Sequence, residues 1–252
     1  MNIPETLFTG KNDIFLPQVD STNAYALELL SKTNPQEGTC IFSDYQTAGR
    51  GQIGRYWHSS QGKNLLISYI FYPKFIKVTD QFLLNIVASL AVYDVICQYT
   101  TDVKIKWPND IYVNDKKIAG ILIQSLLRSN EIRACVIGIG INVNENSFPE
   151  ILPNPTSLFQ LKGANFECES IRLQLSSRLE YYYLKMKGLH YNYLKELYLN
   201  AMYRFGIPAD YKLLDDSIIH GIINGIDDSG KLLISTNGTI MHFDFREISF
   251  LL

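Results

Sequence analysis

The sequence has no long uninterrupted apolar run, no closely spaced cysteines and no excess of basic charge. Its 252 residues include four cysteines, none of them in the CxxC spacing of zinc or redox sites. Lys and Arg number 23 against 25 Asp and Glu, and this balance argues against a general nucleic-acid-binding surface. We expect largely buried, reduced thiols in a cytoplasmic protein.

Sequence signals for membranes and export are also lacking. The longest apolar candidate, residues 82–96, is interrupted by polar side chains and is shorter than the roughly 20 residues that span a bilayer. The first ten residues show no basic segment followed by an apolar run, so no signal peptide is expected. We therefore predict no membrane partner.

The length suggests one main domain with a small appendage. Apolar periodicity and turn residues predict helices over 24–30, 79–99, 170–187 and 190–202, and strands over 39–43, 64–72, 103–107, 111–113, 118–124 and 132–143. After residue 206 the pattern becomes all-β, with predicted strands over 218–226, 231–236, 239–245 and 246–252. We place the two domains at residues 1–204 and 205–252.

A glycine-rich segment, GRGQIGRYW at residues 49–57, is the first candidate site. Its three glycines let the backbone approach an anion, and Arg50 and Arg55 add positive charge suited to carboxylate or phosphate. A flexible surface loop with solvated arginines is the alternative. The segment is not a Walker loop, because Arg55-Tyr56 stands where Lys-Ser/Thr is required.

The second candidate is KWPND at residues 106–110, followed by a predicted hairpin that turns at Asn114-Asp115. The side chains of Asn109 and Asp110 could hold a metal ion or a ribose. The alternative is a strand end with a proline turn and solvated lysines. Simple strand alternation places Lys117 and Gly120 on opposite faces, and Gly120 then permits close approach of a flat ligand.

Two further segments favour structural roles when taken alone. VIGIGINVN at residues 136–144 fails the GxGxxG fingerprint and favours a buried strand, although Asn142 could reach a nucleotide phosphate. Ser21-Thr22-Asn23 precedes a helix-forming run and is typical of a helix N-cap.

Together these segments resemble the biotin protein ligases. The resemblance covers about residues 15–145 and rests on the order and approximate spacing of Ser21-Thr22-Asn23, Asp44-Tyr45-Gln46, Gly49-Arg50-Gly51, KWPND, Lys117 to Leu122 and Gly138 to Asn142. It implies an α+β fold similar to the class II aminoacyl-tRNA synthetase-like catalytic domain of biotin and lipoate ligases, with a mixed sheet. The C-terminal segment, including the weaker match Arg246-Glu247-Ile248-Ser249, suggests a small SH3-like β-barrel.

The resemblance also implies a reaction in two steps. Biotin and Mg-ATP give biotinyl-5′-AMP and pyrophosphate, and the adenylate then acylates one lysine of a biotin carboxyl carrier domain. Lys117 and Arg50 are the implied catalytic residues, because a cation must offset the repulsion between the biotin carboxylate and the α-phosphate. Asp110 is the implied magnesium ligand.

The resemblance assigns the remaining site residues by ligand. Those implied for biotin are Ser21, Thr22, Asn23, Gln46, Gly49, Arg50, Gly51, Gln52, Lys117 and Gly120. Those implied for ATP are Arg55, Trp57, Lys106, Asn109, Asp110 and Asn142. Trp57 and Trp107 are candidate walls for rings, with core packing as the alternative.

Two departures from the family pattern stand out. Family members often have Arg after the second loop glycine, where this sequence has Gln52. About 20 residues precede Ser21, so we expect no N-terminal DNA-binding domain and no DNA partner. A monomer and a homodimer both remain open.

Two other functions compete with this interpretation. A lipoate or octanoate ligase or transferase shares the fold, but the KWPND and glycine-loop segments favour biotin. A non-catalytic biotin-sensing module would bind the ligand without turnover.

Overall fold

A seven-stranded mixed sheet forms the centre of the molecule. The computed structural model describes residues 5–52 and 56–251. The strands are β1 (Asp13–Leu16), β2 (Cys40–Ser43), β3 (Leu65–Phe71), β4 (Val103–Lys106), β5 (Asp110–Val113), β6 (Lys116–Arg128) and β7 (Glu131–Ile141). Their order is β1-β2-β3-β7-β6-β5-β4, with β1 parallel to β2 and the other neighbours antiparallel. This arrangement brings β6 and β7, which carry candidate site residues, to the middle of the sheet.

Within residues 5–52 and 56–251, five helices cover the sheet unequally. They are α1 (Thr22–Lys32), α2 (Phe82–Cys97), α3 (Leu158–Lys162), α4 (Cys168–Lys187) and α5 (Tyr191–Ala201). On one face, Ile67, Ile139 and Ile121 align across three strands and join the large core with α2, α4 and α5. On the other face α1 buries only a small cluster that includes Ile70 and Val136. The rest of that second face carries the candidate site.

α2 owes its apolar composition to this central position. By length and composition alone, Val78–Cys97 could cross a membrane, and 61% of its most apolar window is buried in the fold. Residues Val78–Asp80 form a 3-10 turn and α2 begins at Phe82, so the helix does not start at residue 79 as predicted. Of the four free cysteines, Cys97 at the end of α2 is exposed, so the expectation of largely buried thiols is wrong at this position.

The C-terminal part is a five-stranded antiparallel sheet. Its strands are β8 (Pro208–Leu213), β9 (Ile218–Ile226), β10 (Leu232–Thr236), β11 (Thr239–Phe243) and β12 (Ile248–Phe250), in the order β11-β10-β9-β8-β12. Asn237 and Gly238 have φ values of 49° and 78°, the positive values that a two-residue hairpin turn requires. β8 begins three residues after the predicted boundary at 204/205, which stays a prediction.

The predicted α+β class with a mixed sheet and a C-terminal β region is confirmed. The sequence did not predict β1, α3 or β8. β1 has four residues and α3 has five, too few to show a clear period. β8 begins with Pro208, which favours a turn, but Ala209, Tyr211 and Leu213 alternate with Asp210 and Lys212 as in a half-buried strand, so this signal was missed.

Candidate active site

Three glycines form the floor of the candidate site. Gly138 and Gly140 on β7 and Gly120 on β6 face the side of the sheet that α1 leaves partly open. A methyl group at position 138 would lie 2.0 Å from Asn23 Oδ1, and one at position 140 would lie 2.4 Å from Trp57 Cε2. The absent side chains therefore let Asn23 and Trp57 lie directly on the sheet.

One end of the floor is a buried polar network at the start of α1. Ser21 caps the helix, with its hydroxyl 3.5 Å from Ala24 N. Thr22 donates its backbone N–H to Gln46 Oε1 at 2.8 Å and its hydroxyl at 3.1 Å. The amide nitrogen of Asn23 donates to Leu122 O at 3.1 Å. The first helical turn is thus fixed against both β6 and the loop that carries Gln46.

Ser68 and Gln124 complete this end, and sequence reasoning missed both. The Ser68 hydroxyl lies 2.7 Å from Thr22 Oγ1 and 2.6 Å from Asn23 Oδ1, and Gln124 Oε1 accepts from Asn23 at 3.0 Å. Ser68 is the polar residue inside the otherwise apolar strand Leu65–Phe71, where every side chain is buried. A buried hydroxyl in such a run needs a polar partner, and that was the available signal.

Trp57 covers the other end of the floor. Its backbone N–H donates to Gly49 O at 3.0 Å, while a methyl group at Gly49 would lie 2.5 Å from Trp57 O. Among the described residues, Trp57 Nε1 is buried without a hydrogen-bond partner. Arg50 is exposed in an isolated bridge with Tyr56.

Gly51 and Arg55 are the other predicted site residues of the glycine segment, and the structure describes only Gly51. Gly51 is half-buried. Arg55, predicted to bind ATP, lies outside the described residues, so its role stays a prediction.

Lys117 and Asp110 form the charged pair of the site. Lys117 Nζ lies 2.6 Å from Asp110 Oδ1 and 5.6 Å from the centre of the Trp57 ring. The predicted strand register is wrong here, because Lys117 and Gly120 share a face. A bulge between the pairs Ile111–Ala119 and Tyr112–Lys117 shifts the alternation and turns Lys117 towards the glycine floor.

The turn at residues 107–109 is held in place from several sides. The Asn109 amide nitrogen donates to Ile121 O, and Gln52 Nε2 donates to Asn109 Oδ1 at 3.2 Å. The Tyr198 hydroxyl donates to Pro108 O at 3.1 Å. Burial, and secondarily the Asp110 charge, raise the pKa of the Tyr198 phenol, so this hydroxyl stays a donor.

The two remaining predicted ATP residues lie at opposite margins of the site. Lys106 Nζ contacts the Tyr112 hydroxyl at 3.1 Å and lies 5.1 Å from the centre of the Phe250 ring. Asn142 is buried, and its amide nitrogen donates to Thr156 O at 2.9 Å. The structure therefore brings Asp110, Lys117, Gly120 and Trp57 together, with Lys106 and Asn142 beside them.

Trp107 is not a wall of this site. It is buried, and its indole N–H donates to Gly230 O at 2.9 Å, in the turn before β10. Core packing, the alternative given above, is correct for this side chain. Trp107 instead joins the KWPND segment to the C-terminal sheet.

The two ends of the floor differ in chemistry. The α1 end offers neutral donors and acceptors, which suit a small polar ring, whereas the Lys117 end offers cations, which suit carboxylate or phosphate. In the described part of the chain, no group of three His, Cys, Asp or Glu side chains could hold a metal ion. Any cation here would depend on Asp110 together with oxygens of the ligand.

Comparisons with known proteins agree with this geometry. The family model described as "Biotin/lipoate A/B protein ligase family" matches residues 15–142, and "Biotin protein ligase C terminal domain" matches residues 212–251. The Bifunctional ligase/repressor BirA of Bacillus subtilis (strain 168) is 34% identical over 239 residues, which cover 92% of this chain and 72% of that protein.

A second relative and a solved structure give the same family. A Biotin--[acetyl-CoA-carboxylase] ligase of Mycobacterium tuberculosis is 28% identical, covering 88% of this chain and 82% of that protein. A biotin protein ligase from Aquifex aeolicus, solved in complex with biotin and ATP, is 31% identical, with a TM-score of 0.79 and coverage of 95% of this chain and 98% of that one. The chain thus belongs to the biotin/lipoate A/B protein ligase family and is a biotin protein ligase.

Proposed function

We propose that this ligase activates biotin with Mg-ATP to biotinyl-5′-AMP and then transfers the biotinyl group to one lysine of a biotin carboxyl carrier domain. The observation that carries the proposal is the position of Lys117 Nζ, 2.6 Å from Asp110 and beside Trp57 on a floor of glycines. In this proposal the Lys117 cation lies where the two anionic reactants would meet.

The α1 end is proposed to bind the ureido ring of biotin. A ureido group carries two N–H donors and one carbonyl acceptor, so it needs neutral partners of both kinds. Thr22, Asn23, Ser68 and Gln46 present such groups, and their mutual hydrogen bonds keep them in fixed positions. Preformed polar groups of this kind lower the entropy cost of binding.

The Lys117 end is proposed to perform the activation. One carboxylate oxygen of biotin attacks the α-phosphorus of ATP, the bond to the bridging oxygen breaks, and pyrophosphate leaves. Both reactants are anions, so Lys117 and the exposed Arg50 would lower the barrier by offsetting their repulsion. Trp57 excludes water from the floor, which strengthens these charge interactions.

Nucleotide binding is proposed for the segment that follows. Asp110 is the carboxylate at this end, and one carboxylate combined with phosphate oxygens is a usual magnesium environment. Bound magnesium would neutralise phosphate charge. Asn109, Lys106 and Asn142 are the proposed contacts to the nucleotide, with Arg55 as a further predicted one.

In the second step the amine of the acceptor lysine attacks the acyl carbon of the adenylate. The mixed-anhydride bond breaks, AMP leaves, and the nitrogen loses a proton to give an amide. We place the protein in the cytoplasm, where its four cysteines would stay reduced, and leave the choice between monomer and homodimer open.

The proposal is tested by pyrophosphate release. We expect release that requires both ATP and biotin and stops when magnesium is chelated. Lipoate or octanoate in place of biotin should give no release. Release with lipoate instead of biotin would favour the lipoate-ligase alternative, and biotin binding without any release would favour a sensing module.

A further inference from the structure

Glu145 is a buried carboxylate that the reaction described above does not use. It is 2% exposed and lies just past β7. Its Oε2 accepts from Ser60 N at 3.0 Å and from Asn64 Nδ2 at 2.9 Å, and its Oε1 accepts from the Ser60 hydroxyl at 3.0 Å. In the described part of the chain no ion pair reaches it, so these three neutral donors hold the carboxylate.

These bonds hold the segment that follows Trp57. Ser60 comes three residues after Trp57 in the chain. Asn64 donates to the Ser59 hydroxyl at 3.0 Å and accepts from Val143 N at 2.9 Å, which ties the same segment to the end of β7. Trp57 therefore lies between its own hydrogen bond to Gly49 on one side and a segment bonded to Glu145 on the other.

A second set of bonds runs from Glu145 towards Lys117. The backbone oxygen of Glu145 accepts from the Ser157 hydroxyl. The strap before Ser157, residues 154–156, brackets the Lys117 backbone: Lys117 N donates to Asn154 O at 2.7 Å, and Thr156 N donates to Lys117 O at 2.9 Å. The strap thus fixes the bulge that turns Lys117 to the floor.

The side chains of Trp57 and Lys117, which these two sets of bonds support, come together above Gly120. A methyl group there would lie 2.9 Å from Trp57 Cζ3 and 3.2 Å from Lys117 Nζ. The Glu145 side chain therefore holds the segment that follows Trp57, and the backbone oxygen of the same residue, which the side chain does not alter, joins the strap beside Lys117. Misplacing reactive groups by about 1 Å can cost on the order of 100-fold in rate.

We propose that Glu145 is a positioning residue, whose side chain holds Trp57 in place relative to Lys117 for the activation step. This rests on the proposed function, because it assumes that activation takes place at Lys117. Glu145→Gln keeps the shape of the side chain but removes its charge, so the hydrogen bonds from Ser60 and Asn64 become neutral ones, roughly half as strong, and the Ser60 hydroxyl has to reverse to accept from the new amide. We expect kcat for biotin-dependent pyrophosphate release to fall about tenfold or more.

Glu180→Gln is the matched control. Glu180 is also a buried carboxylate, 5% exposed, but it accepts from the backbone N–H groups of residues 7–9 on the other side of the sheet. It should lose stability as Glu145→Gln does and keep its kcat. Equal losses of kcat in the two variants, or a normal kcat in Glu145→Gln, would overturn the proposal.

Tryptophan fluorescence gives a readout that does not depend on turnover. The sequence has two tryptophans, and Trp107 is buried with its indole N–H bonded to Gly230 in the turn before β10. We expect acrylamide to quench Trp57 more strongly in Glu145→Gln than in wild type or Glu180→Gln, with Trp57→Phe supplying the Trp107 signal alone. Unchanged quenching would contradict the proposed role.

If Glu145→Gln does not fold, Ser60→Ala tests the same positioning role. It removes a single donor to Glu145 Oε1, so we expect a smaller loss of kcat with increased Trp57 quenching, and no change in either would overturn the proposal. A wild-type protein without biotin-dependent release would instead refute the proposed function. In that case the quenching result alone would still support or overturn the link from Glu145 to Trp57.

Discussion

The α1 end and the Lys117 end of the glycine floor are built in opposite ways. At the α1 end, Thr22, Asn23 and Ser68 are buried, uncharged and bonded to one another. At the Lys117 end, the Lys117 and Asp110 side chains are 26% and 18% exposed, and Arg50 is exposed. At the α1 end the polar groups are already hydrogen-bonded within the protein, whereas at the Lys117 end partly exposed charges are accessible to a ligand.

This difference corresponds to two tasks. A neutral ring is recognised by donors and acceptors that do not have to move, because any reorganisation would weaken binding. Charge development during activation needs cations aimed at the reacting atoms in a place that water leaves when substrates bind. We therefore expect substitutions at the α1 end to act mainly on biotin affinity and those at the Lys117 end mainly on turnover.

The largest effect is expected from Lys117→Ala. Removing the cation between the two anions should lower biotin-dependent pyrophosphate release by about 10²- to 10³-fold while the protein stays folded. Lys116→Ala is the control. Lys116 is exposed and precedes Lys117 directly in β6, so its side chain lies on the opposite face of the strand. An essential Lys116 with a dispensable Lys117 would contradict the register and the assigned role.

Two glycines on β7 allow the two ends to be disturbed separately. Gly138→Ala would place a methyl group 2.0 Å from Asn23 Oδ1 and should raise KM for biotin by roughly tenfold to hundredfold. Gly140→Ala would push against Trp57 at 2.4 Å and should lower kcat more than it changes KM for biotin. Steady-state kinetics of both variants would show this split, and identical changes in the two would refute the separation of tasks.

A smaller effect is expected from Ser68→Ala. It removes the hydroxyl that bonds Thr22 and Asn23, and an unsatisfied buried group costs about 1–3 kcal/mol. We expect biotin affinity measured by calorimetry to fall by about tenfold. Ser89→Ala is the control, because Ser89 lies in α2 on the other face and its buried hydroxyl has no partner in the described residues. Equal losses in the two variants would mean that Ser68 does not act through the site.

The smallest effect concerns Gln52. An arginine at this position could add a charge-assisted hydrogen bond, about twice as strong as a neutral one, so Gln52→Arg should release preformed biotinyl-5′-AMP roughly threefold more slowly. The structure adds a competing outcome, because Gln52 donates to Asn109 at 3.2 Å and its replacement would break that contact. Dissociation rates measured at low and moderate salt would decide: equal or faster release from the arginine form would show that the contact with Asn109 matters more than charge.

The sequence singled out residues of the Lys117 end that the structure brings together, but it did not predict their geometry. Lys117 and Asp110 were identified by residue type and order, but the bulge before Lys117 depends on the strap at 154–156, which is distant in sequence. Alternation along one strand carries no information about such a contact. The face of Lys117 was consequently predicted wrongly.

The α1 end shows a different limit. Ser21-Thr22-Asn23 was recognisable as a short polar segment, whereas its partners Ser68 and Gln124 come from separate strands whose patterns indicate only burial. Trp107 shows the same limit, because its partner Gly230 lies in the C-terminal part of the chain. Local patterns predicted most of the helices and strands. The polar contacts between these elements could not be predicted in the same way, because they depend on which elements the tertiary structure brings together.

Incubation of a biotin carboxyl carrier domain with this protein, followed by mass spectrometry, tests the central claim most directly. The account predicts one biotinyl group on a single lysine when ATP and biotin are both present, and none with the Lys117→Ala protein. An unmodified carrier with the wild-type protein, or modification by lipoate in place of biotin, would contradict it.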